Sequence, residues 1–551
     1  MVRDVRYLAP IVLLLGCTSN GGILTYEPET PATPTPEPTP VEPEEPDDDP
    51  VFDPPAQTFD SVFQLTMASD PPGHPILYTD DGTVPFLDAD VYDEPILITE
   101  SVRFYAQVDY DFPPDDEGVV PEPDVNTPSY FRLTGGLADE TSNLPVLLIN
   151  TFETGEIATN GTEFVPAHMM IMEPDEEGVS RLLGQPTIDT PIGIKVRGSS
   201  TRNQPKHSYR LETRDAHGED DGVEIAGMAK EGDWILFAPL RFDQAYIRNR
   251  LAYEISNRMG RWAPATRNVE VYLSGDRDTR FRNSDYLGVY TLIERIEPDP
   301  NRLVIHRMTP ADNQLPELTG GYVFKIDRTA PGDSGFNAGG SEDANRRLNM
   351  VFPDVDEVTP AQMAYLIDWI DTFAEALNAP DFHHPTLGTH YSEYIDVDAW
   401  IDHNIVNQFT RNPDGLRLSS YLHKPRNGKL IAGPVWDFDR TMGSRDGRDE
   451  DPDTWSNGLF TALWWNRLFD DPEFEAAYWA RFREVIETIL TPGELSDMID
   501  ELSADLEQGA ALHNYAAWSD YQHPAGWPAA VEHLRWWVTT RSDWIAANIP
   551  D

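Results

Sequence analysis

The chain of 551 residues can hold two or three domains with sizeable cores, and its formal net charge is −54. This excess of acid argues against nucleic-acid backbones and anionic membrane surfaces as partners, because binding to phosphates requires clustered cations. A single cysteine excludes a disulfide bond within the chain.

The N-terminal residues have the pattern of a bacterial lipoprotein signal peptide. Arg3 and Arg6 precede an apolar run over residues 8–15, and Leu-Leu-Gly directly precedes Cys17. This is the arrangement of a lipobox, in which Cys17 is lipidated and becomes the mature N-terminus; an ordinary secretory signal with a chance cysteine is the alternative. The run is too short to be a lasting transmembrane helix. We expect a signal peptide over residues 1–17 and a protein held in the bacterial cell envelope, at the outer membrane or surface, by lipid alone.

Residues 18–56 are predicted to form an extended tether. Within them, residues 27–55 contain eleven prolines, ten acidic residues and no Lys or Arg. Such a composition cannot bury enough apolar surface to fold, and proline and charge repulsion keep it extended.

Residues 57–135 are predicted to form a small β-sandwich, because short β-type runs alternate with Asp, Gly and Pro clusters. Residues 76–85, Ile-Leu-Tyr-Thr-Asp-Asp-Gly-Thr-Val-Pro, resemble the small immunoglobulin-like module found at chitobiase C-termini. The resemblance implies a spacer or a glycan-contacting module. Tyr78, Phe104 and Tyr105 favour a spacer, since such aromatic residues more often lie in a core than on a sugar platform.

Residues 144–549 are predicted to form the main domain, an α+β fold with a mixed sheet followed by a helical lobe. Strands are predicted over residues 144–150, 192–197, 207–211, 234–237, 269–273, 286–294 and 321–327. Helices are predicted over residues 244–259, 362–377, 397–409, 474–489, 492–507 and 528–548, and Trp536 and Trp537 are expected to pack the last helix onto the core. The Gly- and Asp-rich residues 331–344 are predicted to be a loop and a candidate lid.

The first predicted hairpin of the main domain is basic. Between Lys195 and Arg210 there are five Lys or Arg residues and no acidic residue. One interpretation is a solvated basic face. The other is a phosphate site, in which Gly198 and small hydroxyl residues such as Ser199 let backbone N–H groups approach the anion and Lys206 supplies a point charge.

A second predicted hairpin carries two aspartates at one end. The helical run over residues 396–411 ends in Asn-Pro, Asp414 lies in the following turn, and a turn at residues 426–428 joins two strand-like segments. Asp414 therefore enters the hairpin and Asp437 leaves it. Protein kinases place a catalytic and a metal-binding aspartate in this way. A turn aspartate beside a capping aspartate is the alternative.

Residues 412–421, Asn-Pro-Asp-Gly-Leu-Arg-Leu-Ser-Ser-Tyr, followed by residues 433–439, Gly-Pro-Val-Trp-Asp-Phe-Asp, resemble the CotH family of spore-coat protein kinases, which have an atypical kinase fold. Residues 194–200, 205–212, 247–249 and 288–295 are similar to further motifs of this family, in its usual order. The resemblance extends from about residue 144 to the C-terminus.

The resemblance implies ATP with Mg²⁺ or Mn²⁺ as cofactors, Asp414 as the catalytic residue and Asp437 as a metal ligand. Asp439 would be a secondary metal or supporting group, although its alternation with Asp437 requires that the strand has ended. Ser419 stands where protein kinases carry a metal-binding Asn, and a hydroxyl is a weaker neutral ligand. The nucleotide phosphates would be held by Lys206, with Lys195, Arg197 and Ser199 of the same basic hairpin. Glu294 is either a lone surface acid or a group that orients a lysine.

Three functions are compatible with these patterns. The first is an envelope-anchored kinase that transfers phosphate from ATP to an envelope or surface protein. The second is a catalytically inactive kinase-like protein with a role in adhesion or envelope assembly, favoured by the scarcity of ATP outside the cytoplasm and by Ser419. The third is a glycosidase with paired carboxylates, for which only the spacer module is an indication.

Overall fold

The computed structural model describes residues 50–550 apart from 71, 87–88, 110–123, 155–156, 200, 276–278, 330–334 and 341–346. The predicted signal peptide with Cys17 and the tether up to residue 49 lie outside the described residues, as does most of the candidate lid. All described residues belong to one compact unit, which extends from Asp48 onwards.

The described part of the N-terminal module contains nine short strands in three small sheets. The sheets have the orders β1-β3-β6, β2-β9-β7 and β5-β4-β8. Phe104 and Tyr130 lie at the centre of its core, and Tyr78 packs edge-on against Phe104 with 5.9 Å between ring centroids. The first strand lies within the predicted tether, so the folded module begins earlier than predicted. Phe52 of this strand is buried in the core of the module. The strands are β1 (Val51–Asp53), β2 (Gln57–Phe59), β3 (Phe63–Ala68), β4 (Ile76–Thr79), β5 (Asp90–Val91), β6 (Ile96–Ile98), β7 (Val102–Arg103), β8 (Tyr105–Val108) and β9 (Ser129–Arg132).

This module is joined to the main domain by buried and partly buried hydrogen bonds. Thr58 Oγ1 donates to the Leu182 carbonyl oxygen at 2.5 Å, and Ser129 Oγ donates to Asp189 Oδ1 at 2.6 Å. Phe131 belongs to an apolar cluster that continues into the main domain. The N-terminal module therefore packs against the main domain through both polar and apolar contacts.

Seven strands of the main domain close into a barrel. The order around it is β11-β12-β14-β15-β16-β18-β17, and only the pair β11 and β17 is parallel. The interior is filled by apolar side chains such as Trp234 and Tyr290. The strands of this region are β10 (Thr141–Ser142), β11 (Val146–Asn150), β12 (Val165–Met172), β13 (Ser180–Arg181), β14 (Ile188–Arg197), β15 (Ser208–Thr213), β16 (Asp233–Phe237), β17 (Thr266–Ser274) and β18 (Tyr286–Glu294); α1 (Arg248–Arg258) follows β16.

A second, antiparallel sheet follows the barrel and has the order β20-β21-β19-β22-β23. Its strands are β19 (Tyr322–Asp327), β20 (Gly335–Phe336), β21 (Arg347–Phe352), β22 (Ser420–Lys424) and β23 (Ile431–Ala432). The strands β22 and β23 form the predicted hairpin, with Leu422 opposite Ala432. Both are shorter than the strand-like segments predicted over residues 416–423 and 429–436, because residues 413–419 form turns and residues 433–438 make no strand ladder.

The helices cover this sheet and share one large apolar core with it. Several begin at side-chain caps: Thr359 accepts from the Gln362 N–H, and Asp396 accepts from the Ala399 N–H. None of the helices in the described residues is long and apolar enough to cross a membrane. They are α2 (Pro360–Asn378), α3 (Val397–Thr410), α4 (Asn457–Phe460), α5 (Trp465–Leu468), α6 (Pro472–Thr488), α7 (Pro492–Ser503), α8 (Ala510–Ala517) and α9 (Trp527–Asn548), so the fold is mixed α+β as expected.

The last two helices, which we call the C-terminal strap (residues 510–548), contact both halves of the main domain. On the barrel side, Asn514 Oδ1 accepts from the Val289 N–H at 3.0 Å, and Trp518 Nε1 donates to the Leu287 carbonyl oxygen at 2.9 Å. On the helical side, the buried Arg541 donates to the Gln408 carbonyl oxygen at 2.9 Å. Of the two tryptophans expected to pack this segment, Trp537 is fully buried but Trp536 is 52% exposed.

Candidate functional site

A cleft of about 410 Å³ lies between the end of the β14–β15 hairpin and the second sheet. The barrel contributes cations to it, and the loops on either side of the β22–β23 hairpin contribute carboxylates. Among the residues that line it are Lys195, Arg197, Ser199, Arg202, Arg210, Lys325, Asp327, Asp414, Ser419, Tyr421, Trp436, Asp437, Asp439 and Arg440. The two predicted hairpins therefore meet, although they are about 200 residues apart in the sequence.

Asp414 is positioned by the end of α3. The helix ends at Arg411 in a left-handed conformation, and the Asn412 side chain then accepts a hydrogen bond from the Asp414 N–H at 3.0 Å. The Asp414 carboxylate accepts from the guanidinium groups of Arg417 and, at 3.1 Å, Arg448. Asp414 therefore enters the cleft from a fixed turn, with its charge partly neutralised by two arginines.

Asp437 is held in an unusual backbone conformation. Its φ is 67°, and the Phe438 N–H that follows donates to Asn249 Oδ1 of α1 at 2.6 Å. Ser419 also has a positive φ, of 50°, and its Oγ donates to Asp437 Oδ2 at 3.0 Å. Left-handed conformations at such residues cost about 1–3 kcal/mol each and persist where the surroundings impose them, typically at functional sites.

Asp439 is buried at the base of the same cleft. The strand β23 ends at Ala432, so the alternation that would send Asp437 and Asp439 to opposite faces does not apply. Burial, followed by repulsion from Asp437, raises the pKa of Asp439 well above its usual range, while Arg440 acts in the opposite direction. A buried carboxylate that is repelled by a second, exposed carboxylate is an environment that a cation would stabilise.

The donors present fit a hard divalent cation that is only partly coordinated by protein. Asp437, Asp439 and the Ser419 hydroxyl offer oxygen ligands, which Mg²⁺ and Mn²⁺ prefer. Within the part of the chain that the structure describes, no three His, Cys, Asp or Glu side chains form a ready-made metal site. Mg²⁺ is usually bound by one or two carboxylates together with substrate phosphates, so the oxygens here suit an ion that arrives with a phosphate ligand.

Three of the predicted phosphate-binding residues lie in the cleft. The Arg197 guanidinium stands over the Trp436 ring at 5.5 Å, and Ser199 lies at the exposed edge. Lys195 Nζ lies 4.0 Å above the Phe164 ring and donates to the Thr162 carbonyl oxygen at 2.9 Å. Burial and the neighbouring Arg210 lower the pKa of Lys195.

Lys206, expected to be the main phosphate-binding charge, is directed away from the cleft. Its Nζ donates to the Val289 carbonyl oxygen at 2.5 Å and to Asn514 Oδ1 at 3.1 Å, and it lies 4.6 Å above the Tyr290 ring. Burial lowers its pKa well below the usual range. The structure therefore gives Lys206 a different position from the one expected: it joins β18 to the C-terminal strap.

Glu294 also lies apart from the cleft. It ends β18, is buried rather than exposed, and its carboxylate accepts from the Ala265 N–H at 2.8 Å. Neither of the two interpretations offered for it, a surface acid or a lysine-orienting group in the cleft, matches this position.

Several cleft residues were missed by the sequence analysis, most clearly Lys325. It lies on β19 opposite Tyr421, within 3.9 Å of Asp327, and its side chain is 21% exposed. The signal was available, because Phe324 and Ile326 alternate with Lys325 and Asp327 along an otherwise apolar strand. Arg202 and Arg210 are among the five cations counted in the basic hairpin but were assigned no role of their own, and Arg440 was overlooked.

Comparison with known proteins agrees with the motifs. A search of curated proteins found no match. A family model described as CotH kinase protein matches residues 194–545, which is more than half of the chain. This range includes most of both hairpins, most of the residues that line the cleft and most of the C-terminal strap. The chain belongs to the CotH kinase protein family.

Proposed function

We propose that this chain is an ATP-dependent kinase of CotH type that phosphorylates envelope or surface proteins. The observation that carries the proposal is the meeting, in one cleft, of Asp414, Asp437 and Asp439 with a group of Lys and Arg side chains. Phosphoryl transfer requires little covalent chemistry from the protein. It requires an oriented acceptor hydroxyl, oxygen ligands for a divalent cation and positive charge around the phosphates.

The residues divide among these tasks as follows. Asp414 orients the acceptor hydroxyl and takes up its proton. Asp437, Asp439 and Ser419 would hold Mg²⁺ or Mn²⁺, which when bound neutralises charge on the phosphates. Arg197, Lys195 and Ser199 contact the nucleotide phosphates, as the sequence analysis expects, and Lys325 takes the role that Lys206 cannot fill from its buried position.

In this proposal the rest of the chain anchors the kinase domain in the envelope and holds it at a distance from the membrane. Lipidation of Cys17 would anchor the chain in the envelope, and residues 18–49 would give it distance from the membrane. The module over residues 51–135 is an immunoglobulin-like spacer in this proposal. Its aromatic residues Phe104 and Tyr130 lie in its core, which does not suit a sugar-binding platform.

A catalytically inactive kinase-like protein with a role in adhesion or assembly is the second candidate. The ion pairs that Asp414 forms with Arg417 and Arg448 favour it, because both guanidinium groups bind Asp414 Oδ1 and so occupy an oxygen that an acceptor hydroxyl would need. Ser419 favours it as well, since its hydroxyl is a weak metal ligand.

Nucleotide binding and transfer separate the two candidates. A kinase should be stabilised by ATP with Mg²⁺ or Mn²⁺, by about 2.7 kcal/mol at a hundredfold excess of ligand over its Kd. Incubation of the purified domain with labelled ATP and its own envelope proteins then tests transfer, with Asp437→Asn as control. Absence of both stabilisation and labelling would favour the inactive protein.

A further inference from the structure

A second cavity, of about 400 Å³, lies beside the cleft, and we call it the flank groove. Phe242, from the segment before α1, forms one wall. Residues 443–450 form another, and Trp536 and His533 of α9 form the third. No function considered above uses this groove.

The flank groove is adjacent to the cleft. Arg440 lines the cleft, and its guanidinium stands 4.1 Å above the Phe242 ring, so a single stacked pair separates the two cavities. The wall over residues 443–450 also carries Arg448, which bonds to Asp414. A chain segment lying in the groove would therefore run towards the carboxylate that is proposed to orient the acceptor hydroxyl.

The wall over residues 443–450 begins at a segment whose backbone is held by hydrogen bonds. Arg248 is buried, pairs with Asp243 at 3.2 Å and donates to the carbonyl oxygens of Thr441 and Gly443 at 2.9 and 3.3 Å. His533 Nε2 lies 3.0 Å from the same Gly443 oxygen. Because the backbone is held from both sides, the groove exists before any partner arrives.

The chemistry of the flank groove suits an acidic peptide. Trp536 is 52% exposed and packs against the His533 ring with 5.5 Å between centroids, which is the position of an aromatic anchor. Arg445 is exposed on the wall, and Arg241 is exposed next to Phe242. The nearby acid Asp446 already pairs with Arg440 and Arg448, and Glu450 is the carboxylate of the lining. In a chain of charge −54, two exposed arginines, Arg445 in the lining and Arg241 beside it, therefore outnumber the one exposed carboxylate of the groove.

We propose that the flank groove docks an acidic, aromatic-containing segment of the protein acceptor and leads its hydroxyl to Asp414. This inference rests on the proposed kinase function, whose acceptor class it names. Trp536 supplies the apolar contact, and Arg445 with Arg241 supplies the complementary charge.

The test is a binding measurement made without nucleotide. The probe is a fluorescein-labelled decapeptide of Glu with one Phe and one Ser, and a decapeptide with Lys in place of Glu is its counterpart. Anisotropy should show that the Glu peptide binds more tightly, and less so in high salt. Trp536→Ala should raise its Kd about tenfold, and Arg445→Glu should do the same at low salt.

Two variants outside both cavities serve as matched controls. Phe86→Ala removes an aromatic ring that is 72% exposed in the N-terminal module, and Arg307→Glu reverses an exposed charge. The proposal is overturned if the Lys peptide binds as well as the Glu peptide, or if the groove variants bind like these controls. Peptide binding without any phosphate transfer would instead reject the kinase function and leave the groove, whereas transfer without peptide binding would do the reverse.

Discussion

Replacing Lys206 with Ala should destabilise the folded chain and leave nucleotide binding unchanged. The change deletes three methylene groups from a residue that is 3% exposed, and each buried methylene contributes about 0.8 kcal/mol. It also removes hydrogen bonds to the Val289 carbonyl oxygen and Asn514 Oδ1, each worth about 1 kcal/mol net. The expected loss in the free energy of unfolding is about 4 kcal/mol, and Lys206→Met should recover about 2 kcal/mol because it refills the volume.

Urea denaturation monitored by tryptophan fluorescence measures these losses, and its pH dependence identifies their cause. Because burial lowers the pKa of Lys206, the folded state binds fewer protons than the unfolded state between the two pKa values. The stability of the wild type relative to Lys206→Met should therefore rise with pH, up to about 10.4, where unfolded lysine loses its proton. The slope of this difference is at most about 1.4 kcal/mol per pH unit.

An exposed lysine provides the matched control. Lys230 lies on the surface, and Lys230→Ala should change neither the unfolding midpoint nor its pH dependence appreciably. The reasoning is refuted if Lys206→Ala unfolds at the wild-type urea concentration while its stabilisation by ATP disappears, which is the behaviour of a lysine that binds phosphate.

The remaining predictions concern the cleft and the anchor. Asp437→Asn should abolish metal-dependent stabilisation by ATP. Asp414→Asn should retain this stabilisation and lower the transfer rate by a factor of about 10²–10⁴. Equal effects of the two variants on ATP binding would contradict the roles proposed for them. Lys325→Met should weaken ATP affinity about tenfold, because it removes one charge-assisted hydrogen bond. In the same titration Lys206→Met should leave ATP affinity unchanged. Cys17→Ser should release the protein from membranes or leave its signal uncleaved, and unchanged fractionation and processing would reject lipidation.

Local signals in the sequence were sufficient for most helices and for the second hairpin. The structural bounds of α3 and α9 differ by one residue from the predicted ones, because apolar periodicity, the Asp396 cap and the proline near the start of α9 are all local features. The hairpin turn depends on Asn427, whose φ of 55° is the left-handed conformation expected beside glycine in such turns.

The closed barrel and the direction of Lys206 could not be predicted in this way. The barrel closes through the parallel pairing of β11 with β17, which are more than a hundred residues apart, and pattern alone does not specify that register. The charge count between Lys195 and Arg210 likewise showed where cations are concentrated but not which way each one points. Asn514, which accepts a hydrogen bond from Lys206, lies 308 residues further along the chain.

The C-terminal strap also determines how a molecule can leave the cleft. Swinging the barrel away from the helical half would have to break the hydrogen bonds of the strap on one side, at Leu287 and Val289 or at Gln408, or unfold the strap between them. Wide opening is therefore tied to one of these losses, which makes it a rare and slow event. A bound molecule enters and leaves faster through the existing opening of the cleft. A cut in the backbone between α8 and α9 would separate the barrel contacts from the helical contacts, so proteolysis near residue 524 should shorten the residence time of a bound molecule.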